Sequence, residues 1–270
     1  MHQNNTVMIM AGGTGGHIFP GLAVARALTA KNIAVVWLGS EGGMETRLVP
    51  EQGYTIETLA IKGLRGKGVL SLLKAPMTIV RAIVKAKSFM DKHNPSAVVS
   101  FGGYTAGPGG VAAYIQQRSL IVHEQNCAPG LTNRLLARIA KKVLTGFPNS
   151  FAHIAHTTVG NPVRAEISAL PEPGVRLQTH HGKMRLLILG GSQGARTINS
   201  LIPKVMAGID SQNNFEIRHQ SGENLYAETV AAYQQVNVEA QVEPFIQDMA
   251  QAYSWADIVI GRAGALTVSE

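Results

Sequence analysis

At 270 residues, 45% hydrophobic and 15% charged, the chain is long enough for two domains of ordinary size and too apolar to be disordered. Its one cysteine, Cys127, excludes an internal disulfide and points to a reducing compartment. The net charge of +7 is local: eight basic residues (Lys62, Arg65, Lys67, Lys74, Arg81, Lys85, Lys87 and Lys92) face only Asp91 in that stretch, so one segment carries the whole excess.

In chain order, the polar start at residues 2–6 lacks the basic, apolar, small-residue order of a secretory signal. Strands are predicted over 7–11, 33–38, 55–59, 97–101, 120–123 and 143–145, with helices over 21–30, 44–51, 70–90 and 131–140. The uncharged stretch 93–117 is interrupted by Gly102, Gly103, Gly107, Pro108, Gly109 and Gly110. It reads as strand, glycine loop and short helix, not as a membrane span. Residues 160–183, with Pro162, Pro171, Pro173, Gly174 and Gly182, have linker composition. The pattern then restarts, with strands at 184–189, 215–219, 241–243 and 257–260 and helices at 195–207, 224–235 and 248–255. A helix opens at 265–270 and the sequence stops after about one turn, so the natural chain is expected to continue. Strands alternating with helices argue for α/β architecture with parallel sheets covered on both faces. The expected domains are 1–163 and 164–270.

One glycine motif occurs twice. Val7-Met8-Ile9-Met10-Ala11 runs into Gly12-Gly13-Thr14-Gly15-Gly16-His17, and Leu186-Leu187-Ile188-Leu189 runs into Gly190-Gly191-Ser192-Gln193-Gly194-Ala195. A strand feeding a glycine turn at a helix N-terminus is suited to an anion, because free N–H groups and the helix dipole both favour negative charge. Two such units suggest two nucleotide-fold domains facing each other; a tight strand-to-helix turn is the plainer alternative. Neither the P-loop Gly-Lys-Ser/Thr nor the dinucleotide G-x-G-x-x-G spacing is present, which argues against an oxidoreductase. Glu41 lies where a ribose-binding acid would sit.

His17 follows the first turn directly, where the dipole favours the neutral imidazole of a general base; capping or packing is the alternative. His123-Glu124-Gln125-Asn126 ends a strand at the carboxyl edge where open sheets bind ligands, and Tyr104 sits on another such loop. Cys127 beside it reads as a small buried residue. In the second half, Ser192 can donate to a phosphate, Gly264-Ala265-Leu266-Thr267 opens a second helix N-terminus, and Glu270 could bind a ribose diol or compensate the dipole. No Asp-x-Asp pair is present, so no metal site and no cofactor is expected. On 70–85, Leu73, Met77, Val80 and Val84 form one apolar stripe and Leu72, Ile79 and Ile83 a neighbouring one, flanked by Lys74, Arg81 and Lys85. That width suits an interfacial membrane helix, with core packing as the alternative; nucleic-acid binding has no motif behind it.

Gly12–Ala23, Gly63-Leu64-Arg65-Gly66-Lys67-Gly68, Gly102-Gly103-Tyr104, His123–Asn126, Gly160-Asn161-Pro162-Val163-Arg164, Gly190–Ala195 and Gly264–Glu270 together resemble the family of glycosyltransferases that form lipid II from lipid I and UDP-N-acetylglucosamine. The match runs from about Val7 to the last residue. It implies a GT-B fold, two Rossmann-like domains with parallel sheets facing across a cleft. The N-terminal one would associate with acceptor and membrane; the C-terminal one, incomplete here, would bind UDP-GlcNAc. It also implies inverting, cofactor-free transfer at the cytoplasmic face of the inner membrane, in the peptidoglycan synthesis on which cell shape and division depend. By motif, Thr14, Gly15, Gly16, Asn126, Arg164, Ser192, Ile246, Ala265, Leu266, Thr267, Val268, Ser269 and Glu270 would line the donor site, with Arg164 and the Ile246 backbone near uracil and Glu270 on the ribose. His17 would be the base, with Glu124 and Tyr104 nearby. A nucleotide-sugar epimerase and a non-catalytic nucleotide-binding or membrane-adaptor module are the competing classes.

Overall fold

The computed structural model describes residues 5–61, 69–191, 194–209 and 214–270, and the side chains of these except 69–74 and 179. Lys62, Arg65, Lys67, the run 63–68, Ser192 and Gln193, and the side chains of Leu72, Leu73 and Lys74, therefore lie outside the described residues. Two compact units divide the chain, the first running to Arg164 and the second spanning Ala165–Val268.

In the first unit β1 (Thr6–Ala11), β2 (Ala34–Ser40), β3 (Thr55–Leu59), β4 (Ala97–Gly102), β5 (Ser119–Glu124), β6 (Lys142–Thr145) and β7 (Thr157–Thr158) form one parallel sheet. Its strand order is β3-β2-β1-β4-β5-β6-β7. The order reverses between β1 and β4, and at such a switch point the loops leaving the strand ends part to leave a crevice. The helices are α1 (Gly15–Thr29), α2 (Glu45–Glu51), α3 (Val69–His93), α4 (Ala106–Ile115) and α5 (Leu131–Leu136). Alternation along β1 divides the core in two. Met8 and Met10 pack with Ala82, Ala86, Phe89 and Met90 of α3 and with α4. Val7, Ile9 and Ala11 pack with Trp37 and with Ile18, Leu22 and Ala25 of α1.

The α3 helix turns small residues inward. Ala75, Ala82 and Ala86 are buried, whereas Met77, Val80 and Val84 are 59%, 54% and 63% exposed. Of the two stripes read from the sequence, the one holding Met77, Val80 and Val84 faces outward; Ile79 is 38% exposed and Ile83 packs on the core. Lys85 lies over the Phe89 ring at 4.7 Å, its stem covering apolar surface while its ammonium stays wet.

The second unit holds α6 (Ala165–Ser168), α7 (Pro173–Arg176), β8 (Met184–Leu189), α8 (Arg196–Ala207), β9 (Phe215–Gln220), α9 (Tyr226–Gln235), β10 (Gln241–Glu243), α10 (Met249–Trp255), β11 (Ile258–Gly261) and α11 (Ala265–Ser269). Its parallel sheet runs β10-β9-β8-β11, so the order reverses at β8 and β11. Two expectations need correction. The helix after the first turn begins at Gly15, not residue 21, because a helix N-terminus built of glycines carries no apolar period to read. The linker-like stretch contains the short helices α6 and α7; Pro173 stands at the first turn of α7, where a missing N–H costs nothing. The two-residue β7 has no sequence signal of its own. Among the described residues no helix is long and apolar enough to cross a membrane.

Candidate functional site

At the first switch point the loop after β1 meets the loop after β4. A methyl group on Gly103 would stand 2.5 Å from the Gly12 carbonyl oxygen, and one on Gly102 would stand 3.0 Å from His17 Cε1 and 3.1 Å from Nδ1. Both glycines have positive φ, +95° at Gly103 and +105° at Gly102. The imidazole of His17 thus lies against bare backbone, and only glycine lets the two loops close on it. His17 is half-buried in the first turn of α1, and its Nδ1 is 3.3 Å from Gln125 Oε1. Tyr104, next along the same loop, is 52% exposed.

Beneath the first turn lies a residue that the sequence did not single out. Glu45 is fully buried; its carboxylate accepts hydrogen bonds from Ser40 N (2.8 Å), Ser40 Oγ and Gly13 N (3.2 Å). A buried carboxylate is tolerated only when its lone pairs are met in this way. It draws the Gly13 N–H down into the protein, so that amide is not offered to an anion above the turn. Its sequence signal is an acid at the start of a helix just after the Gly42-Gly43 break; Glu41, the expected ribose-binding acid, lies one residue past β2 and is exposed.

The end of β5 supports the other side. Glu124 is buried and accepts from Asn126 N (3.0 Å), Asn126 Nδ2 (2.8 Å), Gly130 N (3.1 Å) and Asn133 Nδ2 (3.0 Å). That carboxylate is saturated by its own loop and by Asn133 of α5. Asn133 also donates to the His123 carbonyl (3.2 Å) and accepts from Ser100 Oγ (3.1 Å), tying α5 to β4 and β5. Cys127 is exposed, a correction to the reading of it as buried: the chain leaves the sheet after Glu124 and carries it to the rim. Thr14 and Gly16 are exposed, Gly15 is buried and Asn126 is exposed. Arg164 places its guanidinium 5.0 Å from the Phe19 ring of α1.

In the second unit the loops after β8 and β11 flank the second switch point. Gly190 N donates to the Gln220 carbonyl at 2.9 Å, and Ile246 N donates to Gln220 Oε1 at 2.9 Å, so the end of β9 braces the turn after β8 and the loop after β10. The short α11 begins after Gly264 and carries Ala265, Leu266, Thr267, Val268 and Ser269, with Glu270 at its end. Below them His219 is fully buried, its Nε2 3.1 Å from Asn199 Oδ1 and its Nδ1 2.9 Å from the Tyr233 hydroxyl. Asn199 in turn donates to the Ser221 carbonyl at 2.8 Å. Burial pushes His219 down to about 4 from 6.5, and pushes the Tyr233 hydroxyl up. An imidazole held neutral contributes stability that is complete above its unfolded pKa and is lost as pH falls towards its folded one. Acid titration should therefore cost this unit about 3 kcal/mol between pH 6.5 and 4, with His219→Gln flattening that slope in denaturant melts.

Each unit is a parallel α/β layer with a glycine turn where its strand order reverses, the two-domain architecture of the GT-B class. The chain belongs to glycosyltransferase family 28: residues 7–145 match the N-terminal domain of that family and 185–270 its C-terminal domain. It is 58% identical over 265 residues to a protein of Xylella fastidiosa (strain M12) named UDP-N-acetylglucosamine--N-acetylmuramyl-(pentapeptide) pyrophosphoryl-undecaprenol N-acetylglucosamine transferase, covering 98% of this chain and 72% of that one. A crystal structure of Acinetobacter baumannii MurG is similar at a TM-score of 0.73 and 39% identity, over 97% of this chain and 74% of that one. A UDP-GlcNAc 2-epimerase from Neisseria meningitidis, bound to UDP-GlcNAc, has a TM-score of 0.62 at 14% identity over 96% and 78% of the two chains, a likeness of fold alone.

Proposed function

We propose that this chain transfers N-acetylglucosamine from UDP-GlcNAc to lipid I, forming lipid II with inversion at the anomeric carbon. The donor and acceptor come from the name of the Xylella relative, and 58% identity across almost the whole chain supports carrying them over. The observation that carries the chemistry is His17, half-buried against Gly102 at a switch point, with Nδ1 engaged by Gln125 and Nε2 without a hydrogen-bond partner among the described residues.

In this mechanism His17 Nε2 takes the proton of the acceptor hydroxyl as its oxygen attacks the anomeric carbon from the face opposite UDP. The new C–O bond forms as the sugar–phosphate bond breaks, and UDP leaves with the electron pair. Thr14, Gly15, Gly16, Asn126, Arg164, Ser192, Ile246 and Ala265, Leu266, Thr267, Val268, Ser269 and Glu270 are proposed to hold the donor, with backbone amides and hydroxyls receiving the charge that grows on the diphosphate. The Ile246 N–H is taken by Gln220, so recognition of a base edge falls to its carbonyl. Glu124, saturated by its own loop and by Asn133, is assigned a positioning role, and Tyr104 lines the approach to His17. No metal enters this scheme. The test is movement of labelled sugar from UDP-GlcNAc to a lipid I analogue with and without a chelator: unchanged transfer is expected, and abolition by the chelator would contradict it.

The outward apolar face of α3 supports peripheral attachment at the cytoplasmic face of the cell membrane. Met77, Val80 and Val84 share one helical face, and Arg81 and Lys85 are exposed beside it. Inserting such side chains among acyl chains contributes about 1.5–3 kcal/mol each, and basic neighbours add attraction to anionic headgroups. Val80→Asp is expected to weaken binding to anionic vesicles by about tenfold in co-sedimentation, with the fold intact because Val80 is 54% exposed. Unchanged binding would remove this face from the interface.

A further inference from the structure

We propose that Gln125 and His123 are positioning residues that hold the proton of His17 on Nδ1 and so present its Nε2 lone pair to the substrate. This rests on His17 being the base. A general base must offer a particular nitrogen, and the hydrogen bond made by the other ring nitrogen decides which one carries the proton.

The chain of constraint begins at a group that can neither turn nor titrate. The Gly160 backbone carbonyl lies 3.1 Å from His123 Nε2. A carbonyl only accepts, so His123 carries its proton on Nε2 and its Nδ1 is an acceptor. Gln125 Nε2 is 3.3 Å from that Nδ1 and 3.1 Å from the His123 carbonyl. Two acceptors at one end of the amide fix that end as the NH2. The other end, Oε1, is then the atom 3.3 Å from His17 Nδ1. An amide oxygen only accepts, so His17 must donate from Nδ1, and its free lone pair is on Nε2.

The surroundings make this polarity hard to reverse. His123 and Gln125 are 3% and 1% exposed, so no water can substitute for a lost partner without cost. Burial holds His123 below its usual pKa, which keeps Nδ1 as the acceptor the relay needs. The geometry follows from strand alternation. His123 and Gln125, two apart at the end of β5, both lie on the side of the strand that reaches His17. Glu124 between them serves the other side, through Asn133 and Gly130. One strand end thus orients the proposed base and anchors its own loop.

The test reads the ring directly. Long-range proton–nitrogen NMR of the chain, with His17 assigned through His17→Gln, should show a pyrrole-like Nδ1 and a pyridine-like Nε2 near neutral pH. In Gln125→Met, with a backbone amide spectrum that otherwise matches the parent, the proton should move towards Nε2, the form that unconstrained imidazoles favour. Gln125→Glu, which keeps an acceptor oxygen, should leave it on Nδ1. In transfer assays Gln125→Met should lower kcat by about tenfold, because a minority of free imidazoles still carries the proton on Nδ1, and should leave KM for UDP-GlcNAc near its starting value. A wild-type ring protonated on Nε2 would overturn the inference, as would a tautomer unmoved by Gln125→Met. Neither outcome depends on turnover, so the failure of the relay is distinguishable from the failure of His17 as base, which His17→Ala tests by itself.

Discussion

His17→Ala is expected to lower kcat for sugar transfer by about 10² or more while KM for UDP-GlcNAc changes little. A hydroxyl is a poor nucleophile until its proton leaves, and a well-placed imidazole contributes 10²–10⁴-fold to such a step. The alanine variant should fold, because His17 is half-buried and the core beneath α1 is made by Ile18, Leu22 and Ala25. Calorimetry with UDP separates the two roles that the residue could have. Retained nucleotide binding with lost turnover fits a base, whereas lost binding with proportionate loss of turnover fits a donor ligand. Turnover close to that of the parent chain would remove His17 from the chemistry.

The second large effect is on stability, in Gly103→Ala. At φ +95° an alanine is strained in its backbone, and its Cβ would stand 2.5 Å from the Gly12 carbonyl oxygen and 3.0 Å from the Gly12 nitrogen. Those are backbone atoms of the loop after β1, held below by Glu45 through the Gly13 N–H, and they cannot swing aside as a side chain would. Strain and overpacking together should cost about 3 kcal/mol, which for a unit of this size lowers Tm by roughly 10 °C. Gly42→Ala is the matched control: its φ is +69°, but nothing lies within 4 Å of the added carbon. It should lose only the conformational part, about 1 kcal/mol. If the two variants melt together in thermal circular dichroism, close packing of the two loops is not what the position contributes.

Much of this arrangement is written locally in the chain. The strands expected from the sequence fall within two residues of those observed because the apolar runs are short and most of them end at a glycine or an acid. The repeated turns are visible because Gly12-Gly13 and Gly190-Gly191 each follow an apolar run directly. What lies outside local pattern is what depends on partners distant in sequence. Glu45 looks like an ordinary helix-start acid until β1 brings Gly13 to it across 32 residues. Gln125 reads as one of two amides after a strand; its use appears only when His17, 108 residues earlier, is beside it. The outward face of α3 is legible as amphipathic, but which stripe faces the core is decided by alanines at 75, 82 and 86 fitting against the sheet and α4. Asn199 and His219 carry no motif at all and become a unit only where α8 meets β9.

The most direct test of the central claim is the configuration of the product. With UDP-GlcNAc, a lipid I analogue and this enzyme, the new glycosidic linkage should be β by NMR of its anomeric proton, with one UDP released per sugar transferred. An α-linked product would contradict attack from the face opposite UDP, and a changed hexose released without acceptor would replace the transferase reading with an epimerase.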